Sequence, residues 1–155
     1  MKSEAAETRA DTWAVVLNWN GGERNLACVR SLLEQGLPPE RIVFVDNASS
    51  DGSLERVTGT FPDLIVLTNS ANLGYGHGTN RGIERALALG AGRVFLINND
   101  VTLQPGVLAG LEAALTAGPG IVGPRVLFLR PPDLIWCAGG LLNFRTNLSS
   151  LIGHR

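Results

Sequence analysis

Three groups of polar side chains stand at the ends of short apolar runs, and their types could hold a metal ion and a polar ligand. They are Asn18 and Asn20, Asp46 and Asn47, and Asn98 to Asp100. Asparagine, aspartate, serine and glycine are also the usual residues of turns, so any one group alone is typical of a turn or a helix cap. Three such groups, each at the end of an apolar run, favour a binding site.

Asp100 is the residue in these groups best suited to a metal ion. We expect a carboxylate at the end of a buried strand to need a partner, because an uncompensated buried charge is costly. Mg²⁺ or Mn²⁺ takes oxygen ligands and is held by one or two carboxylates together with substrate phosphates. The sequence leaves two other interpretations open: Asp100 caps the helix expected after Pro105, or it pairs with Arg125.

The segment NLGYGHGTNRG, residues 72–82, carries a glycine at every fourth position, at Gly74, Gly78 and Gly82. On a helix these glycines form one stripe without side chains, and each costs about 1 kcal/mol relative to alanine. That cost indicates close approach of the backbone to a neighbouring strand or to a ligand. Arg81, in the same segment, could reach a diphosphate or a base, or be solvated.

An alternation of strands and helices must position these residues. Apolar runs predict strands at 12–20, 41–46, 64–69, 93–98, 120–128 and 134–140. Helical spacing and glycine or proline boundaries predict helices at 22–36, 49–61, 76–90 and 105–118. The second and fourth strands are apolar throughout, which favours burial on both faces. We therefore expect an α/β fold with a mostly parallel sheet, helices on both faces, and ligands at the carboxyl ends of the strands.

Composition excludes several classes of protein. A length of 155 residues indicates one domain, and a net charge of −1 gives no basic field for nucleic acid. The two cysteines, Cys28 and Cys137, fit neither a metal motif nor a disulfide framework. No apolar run approaches the roughly 18 residues of a membrane span, and the polar start lacks a signal-peptide centre. We expect a cytoplasmic protein with a disordered lead-in at residues 1–11.

Four segments taken together resemble the family 2 inverting glycosyltransferases, in particular the bacterial rhamnosyltransferase-like branch. They are VVLNWNGGERNLACVRSLLEQ, IVFVDNASSDGS, NLGYGHGTNRGI and VFLINNDVTLQPGVL, in the family's order. The resemblance implies a GT-A fold, in which a Rossmann-like nucleotide-binding half joins an acceptor-binding half. Residues 12–130 would form the nucleotide-sugar-binding domain, and residues 131–155 would begin an incomplete acceptor-binding half, so that the fold is truncated.

The resemblance also implies roles for individual residues. Asp46 would contact the base of the nucleotide, and the metal motif of the wider family would fall on Asn98 to Asp100, with Asn98 in place of its first acid. The metal, Mg²⁺ or Mn²⁺, would then rest mainly on Asp100. The predicted nucleotide-binding residues are Asn18, Asn20, Asp46, Asn47, Asp51, Gly74, Arg81, Asn98 and Asn99.

The implied reaction is inverting transfer of a sugar from a UDP-, dTDP- or GDP-linked donor to the hydroxyl of a glycan or lipid-linked glycan. A divalent ion would stabilise the leaving diphosphate, and a carboxylate base would act on the acceptor hydroxyl. After Asp100 the acids are Glu112, in a helix, and Asp133, in a loop, and neither matches that base. We therefore expect the base beyond Arg155, an inactive chain when alone, and a whole enzyme at the inner membrane face if its acceptor is lipid-linked.

Two other functions stay open at this point. Nucleotidyltransfer, as in sugar-nucleotide pyrophosphorylases, needs a glycine-rich loop with a fuller basic pattern than Gly21, Gly22 and Arg24 provide. A non-catalytic nucleotide-binding or interaction module is favoured by the lack of a matching base. An incomplete fold would also leave apolar surface and strand edges uncovered, which predicts self-association into a homo-oligomer.

Overall fold

The computed structural model describes residues 11–116, 120–143, 145–146 and 148–153. The chain divides into two compact units, Met1–Gly106 and Val107–Arg155. This division falls before the functional boundary that we drew at residue 130, and that boundary stays a prediction. Most of the expected lead-in lies outside the described residues. Asp11 is described, and its carbonyl accepts a hydrogen bond of 3.0 Å from the backbone N–H of Gly92.

The first unit is a parallel sheet with helices between successive strands. Its strands are β1 (Thr12–Asn18), β2 (Ile42–Asp46), β3 (Ile65–Thr68) and β4 (Arg93–Asn98), in the order β3-β2-β1-β4. Its helices are α1 (Arg24–Glu34), α2 (Ser53–Thr60) and α3 (Gly74–Ala88), and a 3₁₀ turn at Pro39–Arg41 precedes β2. All three strand pairings are parallel, so the predicted parallel α/β sheet is confirmed.

The two central strands are covered on both faces. Side chains alternate along a strand, so Val15 and Val45 point to one face, where they belong to a core cluster with Ala86 of α3. The alternate residues of β1 and β2, such as Val16 and Phe44, are completely buried on the opposite face. Asn18 lies on that second face by the same alternation, and it contacts α1. Helices therefore cover both faces, as the sequence predicted.

β4 differs from the prediction because it is an edge strand. Its apolar run favoured burial on both faces, but Val94 and Phe95 are only partly buried and Leu96 is 44% exposed. The prediction was wrong because an uninterrupted apolar run does not distinguish a central strand from an edge strand. Among the described residues β4 pairs with β1 alone, which leaves one side of it without a neighbouring strand in that part of the chain.

Two glycines bring α3 close to the sheet. A Cβ added at Gly82 would overlap Val15 and would lie 2.8 Å from Val45 Cγ2. A Cβ added at Gly78 would lie 2.7 Å from Leu17 Cδ1 and would also crowd the Asn47 side chain. Close helix–sheet packing, one of the two open interpretations, therefore accounts for these two positions. Gly74 is different, because it has a φ of +75° at the start of α3 and open space beside it among the described residues.

The second unit contains α4 (Val107–Leu115) and two antiparallel strand pairs. β5 (Val126–Leu127) pairs with β6 (Ile135–Cys137), and β7 (Gly140–Asn143) pairs with β8 (Leu148–Leu151). The strands predicted at 120–128 and 134–140 were wrong in extent, because Gly123 and Pro124 interrupt the first, and the second ends at Cys137, before Gly139, whose φ is +130°. The helix predicted at 105–118 begins only after Gly106, whose φ is +81°; residues 117–119 lie outside the described residues.

Candidate functional site

Asn18 joins the carboxyl ends of three strands through its side-chain amide. Its Nδ2 lies 2.8 Å from Oδ1 of Asp46, the last residue of β2, and 2.8 Å from Oγ of Ser53 in α2. Its Oδ1 accepts hydrogen bonds from the Gly21 N–H at 3.0 Å and from Asn99 Nδ2, just after β4, at 3.2 Å. Asn18 is completely buried. The strand ends therefore meet at one edge of the sheet, where Asn18 bonds to both of its neighbouring strand ends.

Asp46 is the buried carboxylate of this edge. Only 2% of the residue is exposed. Its Oδ1 accepts from Asn18, and its Oδ2 accepts from the Ser49 N–H at 2.9 Å. These neutral donors compensate the burial of the charge. The carboxylate keeps accepting capacity, because two oxygens offer about four lone-pair positions.

Asn20 and Asp51 tie the loop after β1 to the loop after β2. Asn20, at a φ of 51°, accepts a 2.9 Å hydrogen bond from the Ser50 N–H, and Asp51 accepts one of 2.9 Å from the Gly22 N–H. Asp51 also accepts from the Ser53 N–H at 3.0 Å, which orders the start of α2. Hydrogen bonding from the Ser53 side chain, followed by these backbone N–H groups, lowers the pKa of Asp51, and desolvation opposes the effect.

A second group of amides lies between β2 and α3. Asn47 is 1% exposed, and its Nδ2 lies 3.2 Å from the carbonyl of Gly74 and 3.2 Å from Oδ1 of Asn72. Its Oδ1 accepts from Asn69 Nδ2 at 2.6 Å. Asn69 in turn accepts from the exposed Arg81 guanidinium. The predicted residues Asn47, Gly74 and Arg81 are thus brought together by Asn69, which follows β3.

The Asn98–Asp100 segment forms an exposed turn. Asn98 and Asp100 are exposed, and the Val101 N–H donates to the Asn98 carbonyl at 3.2 Å across the turn. The burial argument that we applied to Asp100 was therefore wrong, because the chain leaves the edge strand at Asn98. The Cys28 thiol donates to the same carbonyl at 3.4 Å. Burial raises the pKa of Cys28 to about 12, and the nearby negative charge of Asp100 adds to the effect.

Residues 13–138 match the family described as Glycosyl transferase family 2. The chain belongs to this family. Over 121 residues it is 33% identical to the N-acetylglucosaminyl-diphospho-decaprenol L-rhamnosyltransferase of Mycobacterium tuberculosis. That match covers 72% of this chain and 38% of the relative, so the chain spans well under half the length of the curated relatives it matches. The predicted membership, including the likeness to rhamnosyltransferases, is confirmed.

Solved structures of two proteins share the GT-A fold with this family 2 chain. TarS 1–349 of S. aureus superposes with a TM-score of 0.57 at 20% identity, over 77% of this chain and 42% of that one. The mannosyltransferase PcManGT of Pyrobaculum calidifontis, in complex with GDP-Man and Mn²⁺, gives 0.58 at 22% identity, over 79% and 36%. These likenesses establish the predicted fold class.

The donor atoms around Asp100 suit a metal that takes most of its ligands from elsewhere. Within the described residues, no three His, Cys, Asp or Glu side chains form a metal-binding group. Asp100 offers one exposed carboxylate, and Asn98 offers an exposed amide oxygen two residues before it. Mg²⁺ and Mn²⁺ are commonly held by one or two carboxylates, with phosphates and water completing the shell. The residues present therefore fit such an ion when a diphosphate accompanies it.

Several residues of this edge were missed by sequence reasoning. They are Asn25, Ser49, Ser53, Asn69 and Asn72. A signal existed for Asn25, because an amide stands where the apolar face of α1 continues through Cys28, Val29 and Leu32. A signal also existed for Asn69, because it is a polar end of the third strand, like those of the other three.

Proposed function

We propose that this chain is the donor-binding part of a metal-dependent inverting glycosyltransferase. The observation that carries the proposal is the hydrogen-bonded edge formed by Asn18, Asp46 and Asn99, with the exposed Asp100 directly after it. Family membership supports the reaction class. TarS in complex with UDP-GlcNAc and PcManGT in complex with GDP-Man and Mn²⁺ support a nucleoside-diphosphate sugar and a divalent ion as ligands.

Sheet order supports the placement of the nucleobase and the diphosphate of the nucleotide sugar. Asp46 ends β2 and Asp100 follows β4, and these strands flank β1. Adjacent strands lie about 4.8 Å apart, so the two strand ends stand roughly 10 Å apart across Asn18. If the nucleobase is bound at Asp46, the diphosphate of the same nucleotide lies near Asp100. Asn20, Asn47, Asp51, Gly74 and Arg81 border the Asp46 end, and Asn98 and Asn99 border the other.

The Asp100 side of the site would act on the leaving diphosphate. Asp100 would hold the ion, which supplies Lewis-acid stabilisation of the diphosphate. Asn18 and Asn99 would keep the strand ends in place. Asp46 would orient the nucleobase so that the sugar projects away from the sheet. Inversion requires attack from the face opposite the diphosphate, assisted by a carboxylate base. We place that catalytic carboxylate outside this chain, so that the chain alone binds the nucleotide sugar without transferring the sugar.

The acceptor we propose is a glycan or a lipid-linked glycan. The mycobacterial relative is named for a diphospho-decaprenol acceptor, which supports the lipid-linked class. Among the described residues, no helix has the length and apolarity to cross a bilayer. We place contact with such an acceptor at the membrane surface, at the inner face where nucleotide sugars are available.

Titration calorimetry of UDP, dTDP and GDP with and without Mn²⁺ tests the proposal. We expect Mn²⁺ to tighten binding of one nucleotide by about tenfold or more, which corresponds to about 1.4 kcal/mol. Asp100→Ala should abolish this gain, because it removes the only protein carboxylate that we assign to the ion. Asp63→Ala is the matched control, since Asp63 is an exposed acid near the start of β3, at the opposite edge of the sheet. Metal-free binding that is indifferent to Asp100→Ala would favour the non-catalytic module.

A further inference from the structure

One buried face of α1 lies against the turn that carries Asp100. Asn25 and Cys28 are three residues apart, so they share a helix face, and both are completely buried. Oδ1 of Asn25 accepts from Asn99 Nδ2 at 3.0 Å, and the Cys28 thiol donates to the Asn98 carbonyl at 3.4 Å. Two side chains of one helix thus bond to two consecutive residues of the turn.

Asn25 is itself held in place. Its Nδ2 donates to Asn18 Oδ1 at 2.9 Å and to the Gly22 carbonyl at 3.2 Å. Gly21 packs directly on these amides: an added Cβ would overlap Asn99 Nδ2 and would lie 2.8 Å from Asn25 Nδ2. Since the amides are bonded to one another and enclosed by backbone, an alternative position for the Asn25 side chain would cost hydrogen bonds and packing.

We propose that Asn25, with Cys28, positions the metal-bearing turn before the ion and the nucleotide bind. The inference rests on the proposed role of Asp100. A site with one protein carboxylate depends on the placement of that carboxylate, because diphosphate and water supply the other ligands. Groups that orient a metal ligand through hydrogen bonds typically affect metal affinity by 10–100-fold. Asn25 is a positioning residue and not a catalytic one, since it is buried and acts through Asn99.

Two measurements on the full chain test this role. The first is hydrogen exchange of the Val101 amide in metal-free protein, because that N–H bonds across the turn to the Asn98 carbonyl. The second is the Mn²⁺ concentration that gives half of the metal-dependent gain in nucleotide binding. For Asn25→Ala we expect faster Val101 exchange and an Mn²⁺ midpoint raised by about tenfold or more. Ala27→Ser, on the exposed face of α1, should leave both unchanged.

Cys28 provides a second pair of variants that does not depend on Asn25→Ala remaining folded. Cys28→Ser keeps a donor for the Asn98 carbonyl and should keep the Mn²⁺ midpoint of the wild type. Cys28→Ala removes the donor and should raise the midpoint and speed Val101 exchange. Equal behaviour of these two variants, or wild-type exchange and midpoint in a folded Asn25→Ala, would overturn the positioning role.

The failure of this inference and the failure of the proposed function give different results. If Mn²⁺ does not affect nucleotide binding in the wild type, the proposed role of Asp100 fails and the positioning of a metal ligand fails with it. If Mn²⁺ tightens binding equally in the wild type, Asn25→Ala and Cys28→Ala, the proposed function stands and the positioning role is wrong.

Discussion

The side-chain amide of Asn18 both donates and accepts, which explains why an amide stands at the end of β1. Its nitrogen faces the Asp46 carboxylate and its oxygen faces the Gly21 N–H and Asn25 Nδ2. An aspartate here would place two carboxylates side by side, and an aliphatic residue would leave buried donors and acceptors without partners. The structure thus gives Asn18 a structural role, and direct contact of Asn18 with a nucleotide stays a prediction.

Replacing Asn18 should lower the stability of the first unit. For Asn18→Leu we expect the free energy of unfolding to fall by about 3 kcal/mol or more, because each buried group left without a partner costs about 1–3 kcal/mol. Urea denaturation monitored by circular dichroism measures the change. Asn80→Ala, an exposed amide on α3, should stay within about 0.5 kcal/mol of the wild type. A loss below 1 kcal/mol for Asn18→Leu would show that the network contributes little to folding.

At this scale the sequence revealed which residue types matter but not their surroundings. Polar residues after apolar runs located Asn18, Asp46 and Asp100 correctly at one edge of the sheet. Their burial could not be predicted, because it depends on sheet order: Asp46 follows an inner strand and is buried, whereas Asp100 follows an edge strand and is exposed. Asn25 was missed because one of its partners, Asn99, lies more than seventy residues away in the sequence.

The glycines of α3 set how closely this helix packs on β1 and β2. Gly78 faces Leu17 and Asn47, and Gly82 faces Val15 and Val45. This close approach also brings the start of α3 to the strand ends, where the Gly74 carbonyl accepts from Asn47. The helix spacing of these glycines was therefore readable in the sequence, and the identity of the surface that they approach was not.

Adding a methyl group at two glycines of α3 should have different effects on stability. Gly82→Ala should destabilise the chain by about 1–3 kcal/mol, because the new Cβ would overlap side chains of β1 and β2. Gly76→Ala should be neutral or stabilising by up to about 1 kcal/mol, because its Cβ would meet no atom of the described residues within 4 Å and alanine favours the helix. Thermal unfolding of the two variants measures the difference. Equal melting temperatures would contradict the packing that we describe.

The elements of the first unit were predicted better than those of the second. The strands and α-helices described in the first unit were anticipated within a few residues, because apolar runs, helical spacing and terminal glycines such as Gly36 and Gly90 agree there. The 3₁₀ turn at Pro39–Arg41 was not anticipated. In the second unit the strands are short, with two to four residues each, and they form separate antiparallel pairs. Runs of this length carry too little periodicity to define their ends.

At the scale of the whole molecule, the edge strand β4 bears on self-association. Leu96 lies on the edge strand β4 and is 44% exposed. Unpaired apolar edges can pair with a second copy, and a lysine on the edge prevents this. Homo-oligomer formation stays a prediction, which sedimentation velocity over a range of concentrations tests. Leu96→Lys should shift the chain toward monomer, whereas Leu87→Lys, on the exposed face of α3, should not.

Every side chain of the hydrogen-bonded edge, and Asp100 with it, precedes Gly106, the last residue of the first unit. One continuous stretch of the sequence therefore carries the residues that hold the strand ends together. Under the proposed function, recombination near Gly106 would keep the donor-binding stretch intact and join it to a different following segment, which gives a route to new acceptors.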